Sequence, residues 1–135
     1  MTKKPPVDYR KAEDFVAERL ADARWRILAR NYRFVGFELD IVADKGRTLA
    51  IVEVKARRIQ ESYGGNLEGL ISKQKRASLI KGAQHFLAMS ADNWDTVRFD
   101  LAVVEKKGPV LDLPVLRYFV GFLSPFEEIS GFRSR

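Results

Sequence analysis

Two runs of alternating apolar and polar residues constrain the fold of this 135-residue chain more than any other feature. They cover residues 37–43 and 48–56, and the four residues between them read DKGR. Aspartate and glycine favour turns, because aspartate hydrogen-bonds its own backbone and glycine adopts positive φ without strain. The pattern therefore predicts a β-hairpin.

The pleat of a strand sends alternate side chains to opposite faces of a sheet. For the first run, one predicted face holds Phe37, Leu39, Ile41 and Ala43, and the other holds Glu38, Asp40 and Val42. For the second run, the two faces are Ala50, Val52 and Val54, and Leu49, Ile51, Glu53 and Lys55. If Asp44 pairs with Arg47, Glu38 lies opposite Glu53 and Asp40 opposite Ile51. One face is then apolar, and the other carries Glu38, Asp40, Glu53 and Lys55 far from the turn.

Grouped carboxylates on one face of a sheet repel each other and destabilise it. A divalent cation removes this repulsion, and Mg²⁺ is held by one or two carboxylates with waters and a substrate phosphate. Lys55 could steady a developing negative charge or help activate a water. The spacing D-x12-E-x-K on a hairpin thus favours metal-assisted phosphodiester hydrolysis. The alternative is structural, since E-x-K alone also occurs as a solvated ion pair on edge strands.

Composition narrows the kind of metal site. The chain has no cysteine and one histidine, His85, which excludes thiolate sites and argues against histidine-based zinc. Carboxylates must then hold any metal, which favours Mg²⁺ or Mn²⁺. A net charge of +6 suits a polyanionic partner, nucleic acid first. Excess lysine for solubility is the plainer explanation of that charge.

Length predicts one domain. The sequence has no run of 18 apolar residues, so we expect no membrane span. The start lacks the apolar stretch of a secretory signal, so the expected location is the cytoplasm.

Periodicity and capping signals predict the remaining elements. A first helix is expected at residues 9–23 with Asp8 as N-cap, and Ala12, Val16 and Leu20 in the core. A second helix is expected to follow an N-cap at Ser72 and to end near residue 89. Further strands are expected at residues 25–34, 97–104 and 116–122, and a long loop at 59–71.

Three features leave alternatives open. Glu13 lies at the margin of the apolar face of the first helix, either as a solvated carboxylate or as an acid that reaches the metal. Lys73, Lys75 and Arg76 crowd the first turn of the second helix, against its dipole. They indicate either a phosphate site there or a solvated charge run. Asp100 either lies near the site or pairs with Arg98, and His85 receives no catalytic role.

The order α-β-β-β-α-β, with D-x12-E-x-K on the second and third strands, resembles the PD-(D/E)xK nuclease superfamily. That superfamily includes restriction endonucleases and archaeal Holliday-junction resolvases. The chain more closely resembles the YraN-like family of bacterial proteins assigned as endonucleases. The resemblance is carried by residues 12–13, 25–33, 38–43, 53–57, 63–64, 73–74 and 98–100.

The resemblance implies an α/β fold with a restriction-endonuclease-like αβββαβ core, in which helices flank a mixed central sheet. It implies a nuclease-like core at residues 8–107. The residues themselves predict that this core belongs to a single domain over residues 1–135, with a mobile tail at 1–7 and a C-terminal strand and tail at 108–135. The resemblance also implies Mg²⁺ or Mn²⁺ as cofactor. The implied metal ligands are Asp40 and Glu53, with Glu13 as the helix-borne acid that completes the site. The other implied catalytic residues are Lys55, Glu38 in the family's G-E-x-D motif, and Gln74.

These observations favour a nuclease that acts on DNA, with RNA as an alternative substrate. Backbone phosphates would be contacted by Arg57, Arg58, Lys73, Lys75 and Arg76. Such contacts position a substrate without reading its sequence, so we expect weak sequence preference and a possible preference for branched or single-stranded DNA. Two alternatives are a non-catalytic nucleic-acid-binding module and a nuclease subunit completed by a partner or a second copy. No membrane partner is expected.

Overall fold

A computed structural model describes residues 9–58, 69–106 and 114–124. Its elements are α1 (Tyr9–Asp22), β1 (Arg26–Phe34), β2 (Phe37–Lys45), β3 (Thr48–Arg58), α2 (Lys73–Met89), β4 (Thr96–Lys106) and β5 (Val115–Leu123). All predicted helices and strands are confirmed, with ends that differ by one or two residues. The predicted N-cap Asp8, the predicted tails and most of the predicted loop after β3 lie outside the described residues.

The five strands form one mixed sheet in the order β1-β2-β3-β4-β5. β3 and β4 are parallel, and the other neighbouring pairs are antiparallel. Parallel neighbours need a crossover, and α2 lies in the connection between β3 and β4. This mixed α/β architecture is compatible with the predicted restriction-endonuclease-like core. Within the described ranges, no helix is long and apolar enough to cross a membrane.

The two helices cover opposite faces of the sheet. Alternate residues of β3 belong to two apolar clusters, as the pleat requires. The cluster on the α1 face contains Ala12, Val16, Leu20, Ala50, Val52, Val54 and Ala56. The cluster on the α2 face contains Leu49, Ile51, Leu79, Ile80 and Ala83. The predicted faces of β3 and the predicted apolar stripe of α1 are therefore confirmed.

Local chemistry sets the position of α2. The backbone N–H of Lys75 donates to the Ser72 hydroxyl oxygen at 3.0 Å, so the predicted N-cap is confirmed. The helix then passes very close to β2, because a Cβ on Gly82 would lie 2.7 Å from Leu39 and 2.9 Å from Phe37. Only glycine fits at this position without displacing those side chains.

The β2–β3 turn differs from the predicted one. Lys45 pairs with Thr48, so only Gly46 and Arg47 connect the strands. Gly46 has φ +60°, as the first central residue of a tight hairpin turn requires. The predicted pairing of Asp44 with Arg47 is therefore wrong, as is the predicted pairing of Glu38 with Glu53.

The pleat of β2 also changes phase at Asp40. Ile41 packs on the α1 face of the sheet, whereas Leu39 packs on the α2 face. Phe37 also lies on the α2 face, against Gly82, so the prediction that it shares a face with Leu39 is confirmed. The prediction that Ile41 and Ala43 share that face is wrong. The reason is a local interruption of the ladder, because the backbone N–H of Val54 donates to the Asp40 carboxylate at 2.8 Å. Regular pairing of β2 with β3 ends at Ile41, and the strands separate beyond it.

Candidate active site

Three carboxylates from three elements meet where β2 and β3 separate. Asp40 comes from β2, Glu53 from β3 and Glu13 from α1, and all three are buried. Asp40 lies between the other two and within hydrogen-bonding range of both. Acidic residues are rarely buried unless they are paired, so this cluster requires a physical explanation.

Asp40 is held in place by the backbone. One of its carboxylate oxygens, Oδ2, accepts the N–H of Val54 at 2.8 Å. This bond satisfies a backbone donor that the interrupted ladder would otherwise leave unpaired. The same bond fixes the side chain beside Glu53, the residue before Val54 in β3.

Glu53 is the most buried of the three acids. Its Oε2 atom lies 3.5 Å from the ammonium group of Lys75 in the first turn of α2. Its Oε1 atom is buried and has no hydrogen-bond partner in the part of the chain that the structure describes. A buried acceptor without a partner destabilises the folded protein, so this oxygen is a natural position for an external ligand.

The environment of Glu53 disfavours its ionised form. Burial raises the pKa of Glu53 to about 8, and the negative charge of Asp40 contributes to the rise. The positive charges of Lys75 and Lys55 act in the opposite direction. Two lysines thus compensate the carboxylate only in part, which leaves room for a further cation.

Glu13 approaches Asp40 from the α1 face. Burial first, and then the charge of Asp40, raise the pKa of Glu13 to about 7. Arg30 and a hydrogen bond from Asn31 oppose this rise. Of the two interpretations left open by the sequence, the buried position of Glu13 excludes the solvated carboxylate, and its side chain lies beside Asp40.

The other predicted catalytic residues differ in whether they contact the buried carboxylates. Lys55 lies on the same face of β3 as Glu53, close enough to lower the pKa of that carboxyl. Glu38 instead forms an ion pair with Arg33 at 3.1 Å. Gln74 is exposed in the first turn of α2, and among the described residues it makes no hydrogen bond to the carboxylates.

Of the predicted phosphate-binding residues, the structure places Lys75 beside the carboxylates. Lys73 is exposed. Lys75 is partly exposed, and its ammonium group lies near the Glu53 carboxylate. The Nε atom of Arg76 is buried without a hydrogen-bond partner in the described ranges. Arg57 is partly buried near the end of β3, whereas the side chain of Arg58 lies outside the described residues.

The donor set allows a test of metal binding. Across the described ranges, no group of three or more His, Cys, Asp or Glu side chains is arranged to hold one metal ion. Mg²⁺ needs only one or two protein carboxylates, because waters and substrate phosphates complete its octahedron. Asp40 and Glu53 fit such a site, since both offer hard oxygen donors and Oε1 of Glu53 lacks a partner.

Sequence comparison places this site in a known family. The sequence model described as "Uncharacterised protein family UPF0102" matches residues 12–104, a segment that contains all three carboxylates. The chain belongs to the UPF0102 family. The predicted resemblance to the YraN-like family is thereby confirmed.

Relatives from several bacteria share most of the chain. A UPF0102 protein of Nitratidesulfovibrio vulgaris is 40% identical over 102 residues, which cover 75% of this chain and 74% of that protein. A UPF0102 protein of Chlorobium limicola is 37% identical over 124 residues, or 90% of this chain and 93% of that protein. One from Rhodococcus opacus is 39% identical over 93 residues, or 68% and 76% of the two chains.

Two residues of this UPF0102 site have no signal in the hydrophobic pattern. Asn31 lies in β1 with φ +51° and hydrogen-bonds Glu13. Arg30 forms an ion pair with Asp14 at 2.7 Å, and its charge also acts on Glu13. The position of Asn31 inside a predicted strand could have indicated a special role, because asparagine is a poor strand former that tolerates positive φ.

The two remaining candidates have structural partners. Asp100 accepts hydrogen bonds from Arg98 at 3.0 Å and from the Tyr118 hydroxyl at 2.7 Å, so the predicted pairing with Arg98 is confirmed. His85 shares a hydrogen bond of 2.8 Å with the Tyr32 hydroxyl and packs against the ring of Phe34. Both side chains thus contribute to packing.

Proposed function

We propose that this UPF0102 protein is a metal-dependent nuclease that hydrolyses phosphodiester bonds in DNA, with Mg²⁺ or Mn²⁺ as cofactor. The observation that carries the proposal is the buried pair Asp40–Glu53, which has an unpartnered oxygen and only partial compensation by lysine. Buried charges in proteins are either paired or bound to metals. With a pKa of about 8, Glu53 holds a proton at neutral pH when no metal is bound. A divalent cation would displace this proton and supply the positive charge that the ionised pair needs.

Asp40 and Glu53 are the residues that would hold the ion. A divalent cation bound there supplies Lewis-acid polarisation of a phosphate and activation of a water. Val54 keeps the Asp40 carboxylate in a fixed orientation through its N–H, which limits the reorganisation that binding requires. Geometry of this kind is what a preorganised site provides.

Glu13 acts as a positioning residue in this proposal. With a pKa of about 7, its carboxyl holds a proton for much of the time near neutral pH. The protonated form donates a hydrogen bond to Asp40 and keeps that carboxylate ionised. Glu38 would act from further out, because its ion pair with Arg33 holds it at the neighbouring strand.

In this proposal, two lysines act on the substrate. Lys55 faces the same side of β3 as Glu53, where an ammonium group would stabilise negative charge on the attacked phosphate. Lys75 lies 3.5 Å from Glu53 and would turn to the phosphate once a cation neutralises that carboxylate. Phosphate contacts by Lys73, Arg76 and Arg57 would hold the backbone without reading its sequence.

A second candidate function is nucleic-acid binding by a chain whose site is completed by a partner protein or a second copy. The net charge of +6 and the exposed side chain of Lys73 favour contact with a polyanion even without cleavage. The chain would then bind nucleic acid alone but cleave it only in the complex. Binding would fall steeply with salt, as for any protein that contacts several phosphates.

The proposal is tested by incubating supercoiled plasmid, linear duplex, single strand, flap and four-way junction with Mg²⁺, Mn²⁺ or EDTA. Asp40→Asn is compared with Asp44→Asn, a buried aspartate of the same strand that binds Arg26 and Trp94 instead. We expect metal-dependent products from the wild type and Asp44→Asn, and none from Asp40→Asn. Equal cleavage by Asp40→Asn would refute the proposed role, and binding without any cleavage would favour the second candidate.

A further inference from the structure

The turn between β1 and β2 presents apolar side chains to solvent. We call residues 34–37 the β1–β2 tip. Phe34 pairs with Phe37, and Val35 and Gly36 form the turn, with φ +92° at Gly36. Val35 is 97% exposed and Phe34 is 53% exposed, although both are large apolar residues. This exposed apolar surface is available for contact with another molecule.

The β1–β2 tip is braced against α2. The ring of Phe34 stacks near the ring of His85, with centroids 4.2 Å apart, and lies 5.9 Å from the ring of Phe37. The hydroxyl of Ser78 donates to the backbone carbonyl of Gly36 at 3.2 Å. These contacts hold the turn in one position, so Val35 projects as a fixed feature of the surface.

The β1–β2 tip lies at the carboxylate end of the sheet. Val35 precedes Asp40 by five residues in the same hairpin. This separation corresponds to about 16 Å along an extended strand. A nucleic acid bound at the carboxylates would therefore reach the tip within a few nucleotides.

Positive charge flanks the apolar tip. The ammonium group of Lys81 lies 3.6 Å from the position that a Cβ on Gly36 would occupy. On the other side, the guanidinium of Arg33 is largely exposed beyond its ion pair with Glu38. Apolar surface between two cations matches a nucleic acid, in which each apolar base face lies between phosphates.

We infer that the β1–β2 tip is an apolar wedge that packs against unpaired bases of a branched or gapped nucleic acid, while Lys81 contacts a neighbouring phosphate. Proteins that unstack bases insert apolar side chains between base steps, and base contacts of this kind tolerate any sequence. The inference rests on the proposed function and specifies its substrate class. The substrate would carry unpaired bases a few nucleotides from the cleaved bond.

The test uses the full chain in EDTA, so that no strand is cut. The probe is a forked DNA duplex with 2-aminopurine at the first unpaired position, and a continuous duplex of equal length is the reference. Val35→Ser is compared with Val120→Ser, a valine that is 61% exposed in β5 at the opposite edge of the sheet. Neither change removes a buried side chain, so both variants should fold.

For the wild type and Val120→Ser, we expect binding to the fork to raise 2-aminopurine fluorescence. For Val35→Ser, we expect about half of that rise or less, and about fivefold weaker binding to the fork. Binding of all three proteins to the continuous duplex should be equal, because phosphate contacts are unchanged.

Equal fluorescence and affinity for Val35→Ser and Val120→Ser would overturn the wedge. The proposal would also be rejected if the only effect of Val35→Ser were the loss of self-association, measured by light scattering. The β1–β2 tip would then contact a second copy of the chain. Binding to the fork without any change in fluorescence would reject the wedge and leave the proposed function intact. Absence of binding to every nucleic acid would reject both.

Discussion

Two buried carboxylates on neighbouring strands, Asp100 and Glu53, differ in how many hydrogen-bond and ionic partners surround them. Asp100 in β4 is fully buried, and Glu53 in β3 is 3% exposed. Asp100 receives hydrogen bonds from Arg98, from the Tyr118 hydroxyl and from the N–H of Gly121. Glu53 has one lysine at 3.5 Å and an oxygen without a partner in the described ranges.

The difference separates an acid with a complete set of hydrogen-bond donors from one with an incomplete set. A buried charge is tolerated when hydrogen bonds and an opposite charge surround it, as at Asp100. Burial and the Asp100 carboxylate also raise the pKa of Tyr118, so its hydroxyl remains a donor at ordinary pH. Glu53 has fewer such partners, and burial therefore raises its pKa. We interpret the incomplete shell as the site of the cation.

The largest expected effect is a difference in cleavage activity between variants of the two acids. Glu53→Gln should lower metal-dependent cleavage by about a thousandfold or more, since loss of metal activation removes several kcal/mol of transition-state stabilisation. Asp100→Asn should cleave at the wild-type rate per folded molecule. The measurement is single-turnover cleavage of the best substrate, with the folded fraction determined by circular dichroism. Similar rates for Glu53→Gln and the wild type would remove the distinction.

The second effect concerns stability, in which we expect Asp100→Asn to be impaired and Glu53→Gln not. Asp100→Asn should lower the free energy of unfolding by about 3 kcal/mol, because it leaves the partly buried Arg98 guanidinium without its counter-charge. Glu53→Gln should leave stability in EDTA unchanged or higher at pH 8. Urea unfolding followed by tryptophan fluorescence measures both. A larger loss for Glu53→Gln would show that Glu53 is the structural acid.

Much of this architecture was predictable from the sequence. The alternation of β3 fixed its two faces, and Ser72 marked the start of α2. The spacing of Asp40 and Glu53 identified the two acids that the structure brings together. These features are local, because periodicity and capping act over a few residues.

Two of the errors arose where a distant residue intervenes. The bond from Val54 to Asp40 interrupts the ladder, and it moves Leu39 to the face opposite Ile41. No local pattern reveals a side chain that replaces a backbone partner in the next strand. For the same reason the pairing of Lys75 with Glu53 was missed, since it joins a helix to a strand.

The third effect concerns pH. The pKa of Glu53 rises from 4.5 to about 8 on folding, so the folded state binds this proton more tightly than the unfolded chain. Its stabilising effect is complete below pH 4.5 and is lost as the pH rises towards 8. We expect Glu53 to contribute a loss on the order of 3 kcal/mol between pH 5 and pH 8 in the metal-free protein. Glu13, whose pKa is also raised to about 7, adds to this decline. Urea midpoints in EDTA should show this decline in the wild type and a flatter profile in Glu53→Gln.

A decline as steep in Glu53→Gln as in the wild type would assign the titration to other groups, Glu13 first. Asp100→Asn is the matched control here. It should shift the whole profile downward while retaining the slope, because Glu53 is unchanged.

The smallest effect tests how complete the Asp100 shell is. Tyr118→Phe removes one hydrogen bond of 2.7 Å but leaves those from Arg98 and Gly121. Stability should fall by about 1 kcal/mol, and cleavage should not change. Thermal unfolding beside the cleavage assay checks both. A loss of activity at wild-type stability would connect Tyr118 to the active site.

Metal binding itself tests the central claim most directly. The full chain and its Glu53→Gln variant are titrated with Mn²⁺ at pH 7.5, and the EPR signal of the free ion reports the bound fraction. The account predicts a saturable site in the wild type that is lost in Glu53→Gln and retained in Asp100→Asn. Equal Mn²⁺ binding by the wild type and Glu53→Gln would contradict it.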